Sequence, residues 1–467
     1  MAYRYLLPDV PSPPLYKPLD PDFIDTPIHT YFERTVQRHP NRLALSDGKT
    51  SYSFDEANSL ANRIAHRIIA LGIQGNVGIY MDDTAEYPIC LLAALKAGCG
   101  VLILEPKLPA KRIQYMAENA NLKAILTKTI FREQAGESFS KELGLITIDE
   151  IPASAISRNP DLAISPNDPA VMIYTSGSTG QPKGILHTHK SWMNSMGAVA
   201  QLEKYNPADR LTQLYSPSSS AAAITLIFAF ISGASFHNFN VDKRSLNEFP
   251  KWAMENEITV FRTTGSTFRQ IFSPSPNPKL IKSLRLAIVG GEMVYQSDFE
   301  QFKKWFSTDA HLRAGGGMSE ALLMASCYLN HTSEFDGERL PMGYILDSQK
   351  VDILDEAGQP LPQGESGIVA ISGPSVVSGY YNEESPSFQS SPYNLVETQF
   401  ISGDVGHIDA NGLLCIDGRK DQMVKVRGFR VELGEVEAQL LKLKGVLEAC
   451  VMADQGRNKS ARVIAYI

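Results

Sequence analysis

Between Tyr174 and Gly184 the chain reads YTSGSTGQPKG, with glycines at 177, 180 and 184, hydroxyls at Thr175, Ser176, Ser178 and Thr179, and one charge at Lys183. Glycine lets backbone N–H groups approach phosphate oxygens closely, hydroxyls add donors, and a lysine adds a point charge. The β-branched and aromatic residues just before the loop read as the end of a strand. The pattern is not a Walker A loop, whose lysine directly follows the second glycine and leads straight into a helix. Glycine and serine enrichment equally suits a flexible surface linker, so the loop by itself leaves both readings open.

Other candidate chemistry is sparse. His187 and His189 in HTH form the one close histidine pair and have no further ligand cluster nearby, so a polar turn or strand end is expected there rather than a metal. Cys90, Cys99, Cys327, Cys415 and Cys450 are scattered and lack a C-x-x-C pair, which argues against both a disulfide framework and a thiolate zinc site. The formal charge of −7 is small for 467 residues, and no basic run follows a nucleic-acid backbone. The longest apolar run, around Ile224 to Ile231, is far short of the roughly 20 residues that span a bilayer. Pro8, Pro11, Pro13 and Pro14 break up any signal-like apolar helix. A cytoplasmic protein with neither nucleic acid nor membrane as partner is expected.

The elements that must position the loop alternate. NRLALSD, VGIYM, VLILEP and AILT read as strands; FDEANSLANRIAHRIIALG, AEYPICLLAALKAG and KRIQYMAENA read as helices between them. Such βα repeats predict an α/β fold, a large N-terminal core of several subdomains with mainly parallel sheets covered by helices. TVFRTT and LRLAIVGGE add strands, and VDILDEAGQPLPQGESGIVAIS reads as a hairpin around Asp355 to Gly358. Near Asp421 two short basic strands lead into an amphipathic helix. A core over 1–419 and the start of a small α+β C-terminal lobe over 420–467 are expected.

YTSGSTGQPKG resembles the signature of the adenylate-forming superfamily, which includes acyl-CoA synthetases, luciferases and the adenylation domains of nonribosomal peptide synthetases. Similar motifs recur in order along nearly the whole chain: LKAGCGVLILEP, IVGGE at 288–292, GGGMSE at 315–320, FISGD at 400–404 and GRKDQMVKVRGFRVELGEVE at 418–437. The resemblance implies that Thr175, Ser176, Gly177, Ser178, Thr179, Gly180 and Lys183 hold the β- and γ-phosphates of ATP. It places Gly291 and Glu292 at the adenine, Ser319 at the α-phosphate, Glu320 on Mg²⁺, and Asp404 with Arg419 at the ribose. Asp421 would be the hinge, and Gly428 would face the path of a phosphopantetheine thiol carried by an acyl or peptidyl carrier protein. Each charged residue also has an ordinary reading: Asp404 paired with Arg419, Glu292 capping a helix, Glu320 in solvent.

The departures are informative. Gly316 stands where the family usually places an adenine-stacking aromatic, so stacking must come from elsewhere. Ser220 stands where amino-acid-activating domains carry an aspartate for the substrate ammonium. A buried ammonium without a counter-charge is costly, so the acid is expected to lack an α-amino group, with a 2-oxo acid favoured. Ala221, Ile224, Ala287, Val289, Gly315, Leu323 and Met324 align with the remaining specificity positions and imply a mainly apolar pocket. Arg262 aligns there too, and either orients a polar substituent or points to the surface. The sequence stops at ARVIAYI, before the lysine that ends the small lobe in the family, which suggests interruption by an inserted ketoreductase domain. A free-standing acyl- or aryl-CoA synthetase and a non-catalytic adenylation-like binding domain are the alternatives.

Overall fold

The structure is a computed structural model that describes the chain apart from residues 1–2, 5–9, 141, 177–180, 273–280, 336, 393–397, 421–422, 427–428, 441–442, 444, 447 and 456–460. Gly177, Ser178, Thr179, Gly180, Asp421 and Gly428 lie outside the described residues.

Two large sheets organise the core. The six-stranded one runs Gly144–Thr147, Leu122–Thr127, Asn76–Tyr80, Gly100–Leu104, Pro169–Thr175, Lys183–Thr188; only its last pairing is antiparallel. Its central strands Asn76–Tyr80 and Gly100–Leu104 are buried at every position, as continuous apolar strands covered on both faces must be. The helix Phe54–Ala70 begins at Ser53, whose hydroxyl accepts from the Glu56 amide while the Glu56 carboxylate accepts from the Ser53 amide. Glu86–Lys96 is buried nearly all round.

The fourteen-stranded sheet is mixed. From Leu43–Ser46 through Ser235–His237, Arg210–Gln213, Val260–Thr263 and Leu286–Gly290 to His311–Met318 the strands are parallel. Beyond His311–Met318 every pairing is antiparallel, through Leu322–Leu329, Gly343–Ile345, Leu413–Arg419, Thr398–Ile408, Gly367–Ser372 and Lys350–Leu354. The expected predominance of parallel strands therefore holds for the βα-repeating half and not for residues 311–419, where short connections replace crossover helices. The expected hairpin forms between Lys350–Leu354 and Gly367–Ser372, and its connection continues well past the turn at Asp355. Beyond residue 419, Met423–Val426 and Phe429–Glu432 pair antiparallel and lead into the helix Leu433–Leu440.

Candidate active site

The strand His311–Met318 ends in a tight turn whose backbone leaves no room for side chains: a Cβ on Gly317 would run into the Leu322 carbonyl oxygen. The Ser319 carbonyl accepts from His187 Nε2 at 2.7 Å. Burial pushes the His187 pKa down to about 4, so the ring is neutral and holds this turn as a hydrogen-bond donor. His189 Nδ1 accepts from the Ile28 amide at 3.3 Å. Both histidines of HTH are thus occupied in packing, and among the described residues no group of three or more His, Cys, Asp or Glu is placed to hold a metal.

Glu320 is 2% exposed. One Arg430 nitrogen donates to both of its carboxylate oxygens, at 2.9 and 3.1 Å, and the Tyr380 hydroxyl donates at 3.2 Å. Burial alone would raise the carboxyl pKa, but the Arg430 charge and hydrogen bonds prevail and hold it below the ordinary glutamate value. Glu320 is therefore a buried anion, not a solvated one. One carboxylate of this kind suits magnesium, which takes few protein ligands and completes its shell with water and substrate phosphates.

Three cavities meet at this turn. One of about 360 Å³ is lined by Gly291, Glu292, Gly316, Asp404, Arg419 and Lys425. A second, about 150 Å³, is lined by Ser176, Lys183, Glu320, Tyr380, Asp404 and Arg430. The third, about 170 Å³, is lined by Thr175, Ser176, Tyr215, Ser219, Ser220 and Ser319, among others. Gly317 and Lys425 border the first and third, Asp404 and Arg419 the first and second, Met318 and Arg430 the second and third. Burial lowers the Lys425 ammonium below the ordinary lysine pKa, with Asp404 opposing the shift.

The individual residues carry their ordinary pairings as well as their places in these cavities. Lys183 Nζ lies 2.8 Å from Glu383 and 4.8 Å from the centre of the Tyr380 ring. Arg419 donates to Asp404 at 2.5 Å across the strand pair that sets them opposite each other. Glu292 accepts from the Ser266 amide at 2.7 Å and its hydroxyl at 3.0 Å, capping the helix Gly265–Phe272 while facing the first of these cavities. Gly316 faces the methyl group of Met342, which takes the space an aromatic at 316 would use.

On the acid side, Ser220 and Ala221 open the helix Ser220–Ser232 and line the third cavity. The cavity thus borders the positive, N-terminal end of this helix, a setting that favours an oxygen acceptor over an ammonium. Ile224 and Leu323 pack in the core beneath it, and Met324 packs instead with Met318, Ile353 and Val369. Ala287 and Val289 do not reach the pocket. Strand registers set Arg262 beside Ile288 and Arg313, and Gly290 beside Gly315, so Ile288 and Gly290 share the pocket face. Ala287 and Val289 point to the opposite face, into the cluster of Phe261, Phe268 and Leu312. A one-residue slip in alignment flips every side chain of a strand. Arg262 is neither at the surface nor in the open cavity: it is 2% exposed and donates to Glu203 at 2.7 Å and the Tyr205 hydroxyl at 2.9 Å.

Several residues that converge here escaped the sequence reading. Glu105 reaches the edge of the pocket, where it accepts from Ser216 and from Ser218 Oγ at 2.5 Å and pairs with Lys107 at 3.0 Å. Tyr215, Tyr380 and Arg430 were missed because nothing local in the sequence marks them; Arg430 lay within a quoted motif without an assigned role.

Residues 32–381 match the family model described as AMP-binding enzyme. The chain is 28% identical to tyrocidine synthase 1 of Brevibacillus parabrevis, covering 94% of this chain and 40% of that protein. It thus spans less than half of that relative. Among solved structures it is similar to holo-PA1221, described as a nonribosomal peptide synthetase protein containing adenylation and PCP domains bound to a vinylsulfonamide inhibitor, with TM-score 0.83, 21% identity, and coverage of 95% of this chain and 76% of that one. It is also similar to o-succinylbenzoate CoA synthetase of Bacillus subtilis, with TM-score 0.80, 21% identity, and coverage of 95% and 88%. At these identities the structural matches establish the fold.

Proposed function

The chain belongs to the AMP-binding enzyme family, and from that premise we propose that it activates a carboxylic acid lacking an α-amino group, by preference a 2-oxo acid, as its acyl-adenylate. The observation that carries this reading is the meeting of the three cavities along Gly315–Glu320. Nucleoside, phosphates and acid then each have a compartment, and the α-phosphorus falls at their junction. An acid carboxylate oxygen attacks that phosphorus and pyrophosphate leaves; a thiol sulfur then attacks the acyl carbonyl and AMP leaves.

Little covalent work falls to the protein, whose task is to offset anionic charge and align the reactants. Lys183 and Ser176 would face the leaving phosphates, Asp404 would accept from the ribose hydroxyls, and the Ser319 turn, held by His187, would face the α-phosphate. Glu320 would hold the magnesium that accompanies ATP; the ion would supply charge neutralisation along the phosphates. Residues 1–419 form the catalytic core in this reading, with 420–467 contributing the hinge at Asp421 and the thiol path at Gly428. The acceptor thiol is phosphopantetheine on a carrier protein, supported by the peptide-synthetase relatives. Reduction of the carrier-bound 2-oxo acyl group by an inserted ketoreductase is the finer form of the proposal, and five free cysteines fit a cytoplasmic setting.

The test is direct binding of Mg-ATP and of non-hydrolysable acyl-sulfamoyl-adenosine analogues, followed by acid-dependent exchange of pyrophosphate into ATP. Absence of nucleotide binding would overturn the proposal.

A further inference from the structure

Below the acid pocket lies a second, buried layer of charge. Arg262 and Arg313 are each 2% exposed and sit on the same face of the sheet, flanking Ile288. Both converge on Glu203, which is fully buried: Arg262 Nη2 donates to one oxygen at 2.7 Å, and Arg313 Nε stands 3.3 Å from the other. Tyr205 bridges, accepting from Arg262 and donating to Glu203. Of two further carboxylates in the region, Asp209 is taken by Arg285 at 2.7 and 2.8 Å, and Glu292 accepts from Ser266 at 2.7 and 3.0 Å. Two guanidinium groups therefore share one carboxylate, leaving an excess positive charge. Arg262 Nε and Arg313 Nε and Nη2 have no hydrogen-bond partner among the described residues, and neither do Glu203 Oε1 and Gln213 Oε1. A buried charge without a counter-charge is strongly unfavourable, and a network left half satisfied is worse than an apolar core.

The layer shares a face of the sheet with residues that line the pocket. Arg262 precedes Thr264 by two residues, Arg313 precedes Gly315 by two, and Gln213, paired with Arg262, precedes Tyr215 by two. Thr264 and Tyr215 line the acid cavity. Alternation puts each pair on one face, with the arginine layer about 6.6 Å deeper along the strands. Tyr215 lines the cavity, its hydroxyl donating to the Thr263 carbonyl, one residue beyond Arg262, at 2.7 Å.

We propose that the activated acid carries a second anionic group at its far end, a carboxylate or an isosteric sulfonate, which Arg262 and Arg313 receive once the Tyr215 hydroxyl gives way. This rests on the adenylation reading and narrows its substrate to a short dicarboxylic class. It also revises the mainly apolar pocket expected from the sequence: only the walls are apolar.

The test measures, by calorimetry, binding of acyl-sulfamoyl-adenosines made from a five-carbon 2-oxo dicarboxylic acid, from its distal methyl ester, and from a branched aliphatic 2-oxo acid of similar size. The free dicarboxylate analogue should bind at least tenfold more tightly than the ester. Arg313→Met should abolish that preference, Arg313→Lys should retain part of it, and Glu203→Gln, which removes the competing anion, should enlarge it. If Arg313→Met does not fold, the last two variants decide. Equal binding of acid and ester, or tightest binding of the branched aliphatic analogue, would overturn the proposal. Failure of AMP itself to bind would overturn the nucleotide reading beneath it, and the proposal with it.

Discussion

Arg430 holds both oxygens of Glu320 through one nitrogen, at 2.9 and 3.1 Å, although the two residues lie 110 positions apart in the sequence. Arg430 and Tyr380 already take three of the lone-pair positions on this carboxylate, so a magnesium ion at Glu320 would compete with Arg430 for it. Arg430→Gln should lower the Mg²⁺ concentration needed for half-maximal ATP binding several-fold and slow thioester formation. A Mg²⁺ titration of nucleotide affinity reads the first effect; an unchanged midpoint would contradict the competition.

The same pair predicts a pH dependence with a definite sign. Because the folded Glu320 carboxyl is held below its ordinary value, its contribution to stability is fully present above the unfolded glutamate pKa of about 4.3 and is lost as pH falls through the folded value. In Arg430→Met the largest lowering causes are gone, burial opposes only the smaller backbone and Tyr380 hydrogen bonds, and the pKa rises. The acid limb of thermal stability should then move upward by about one pH unit. Melting curves across the acid range would show it, and coincident curves would mean that Arg430 does not set the ionisation of Glu320.

Lys183 is held between Glu383 at 2.8 Å and the face of Tyr380. A charge-assisted hydrogen bond is worth about 1.5–3 kcal/mol, so Lys183→Ala should weaken Mg-ATP binding by roughly ten- to a hundredfold if the ammonium transfers to phosphate. Glu383→Ala should not weaken it, because it frees the lysine. Parallel losses in both variants would mean that the pair acts only structurally.

The βα half was legible because buried parallel strands are continuous apolar runs: Asn76–Tyr80 and Gly100–Leu104 announce themselves without alignment. The antiparallel half was less so, since its short strands carry neither long runs nor crossover helices. Within the site, the ordered motifs pointed to Lys183 at a strand start, Glu320 in a turn, Asp404 within the strand Thr398–Ile408 and Ser220 at a helix start, all of which line the neighbouring second and third cavities. Ala287 and Val289 failed for a specific reason. Two consecutive glycines, Gly290 and Gly291, allow two alignments one residue apart, and only the register against Gly315 decides between them. Glu105 and Arg313 were illegible because their partners, Ser216, Ser218 and Glu203, are distant in sequence.

Ser220 is the lever on substrate class. It starts the helix Ser220–Ser232 behind the cap Ser219, so the cavity meets a neutral hydroxyl and the positive end of a helix. The carboxylate that approaches this edge, Glu105, is engaged by Ser216, Ser218 and Lys107. An α-ammonium would enter without a free counter-charge, whereas a 2-oxo group brings an acceptor for a hydroxyl or N–H. An unpaired buried charge costs several kcal/mol, and about 1.4 kcal/mol is tenfold, so the oxo acid should be preferred over its amino counterpart by more than about a hundredfold. Ser220→Asp should narrow or reverse this by supplying the missing anion. Binding of sulfamoyl-adenosine analogues of matched 2-oxo, 2-hydroxy, des-amino and amino acids checks both statements. Equal affinity for the oxo and des-amino analogues would reduce the preference to carboxylic acids in general, and tighter binding of the amino analogue to the unmodified chain would refute it.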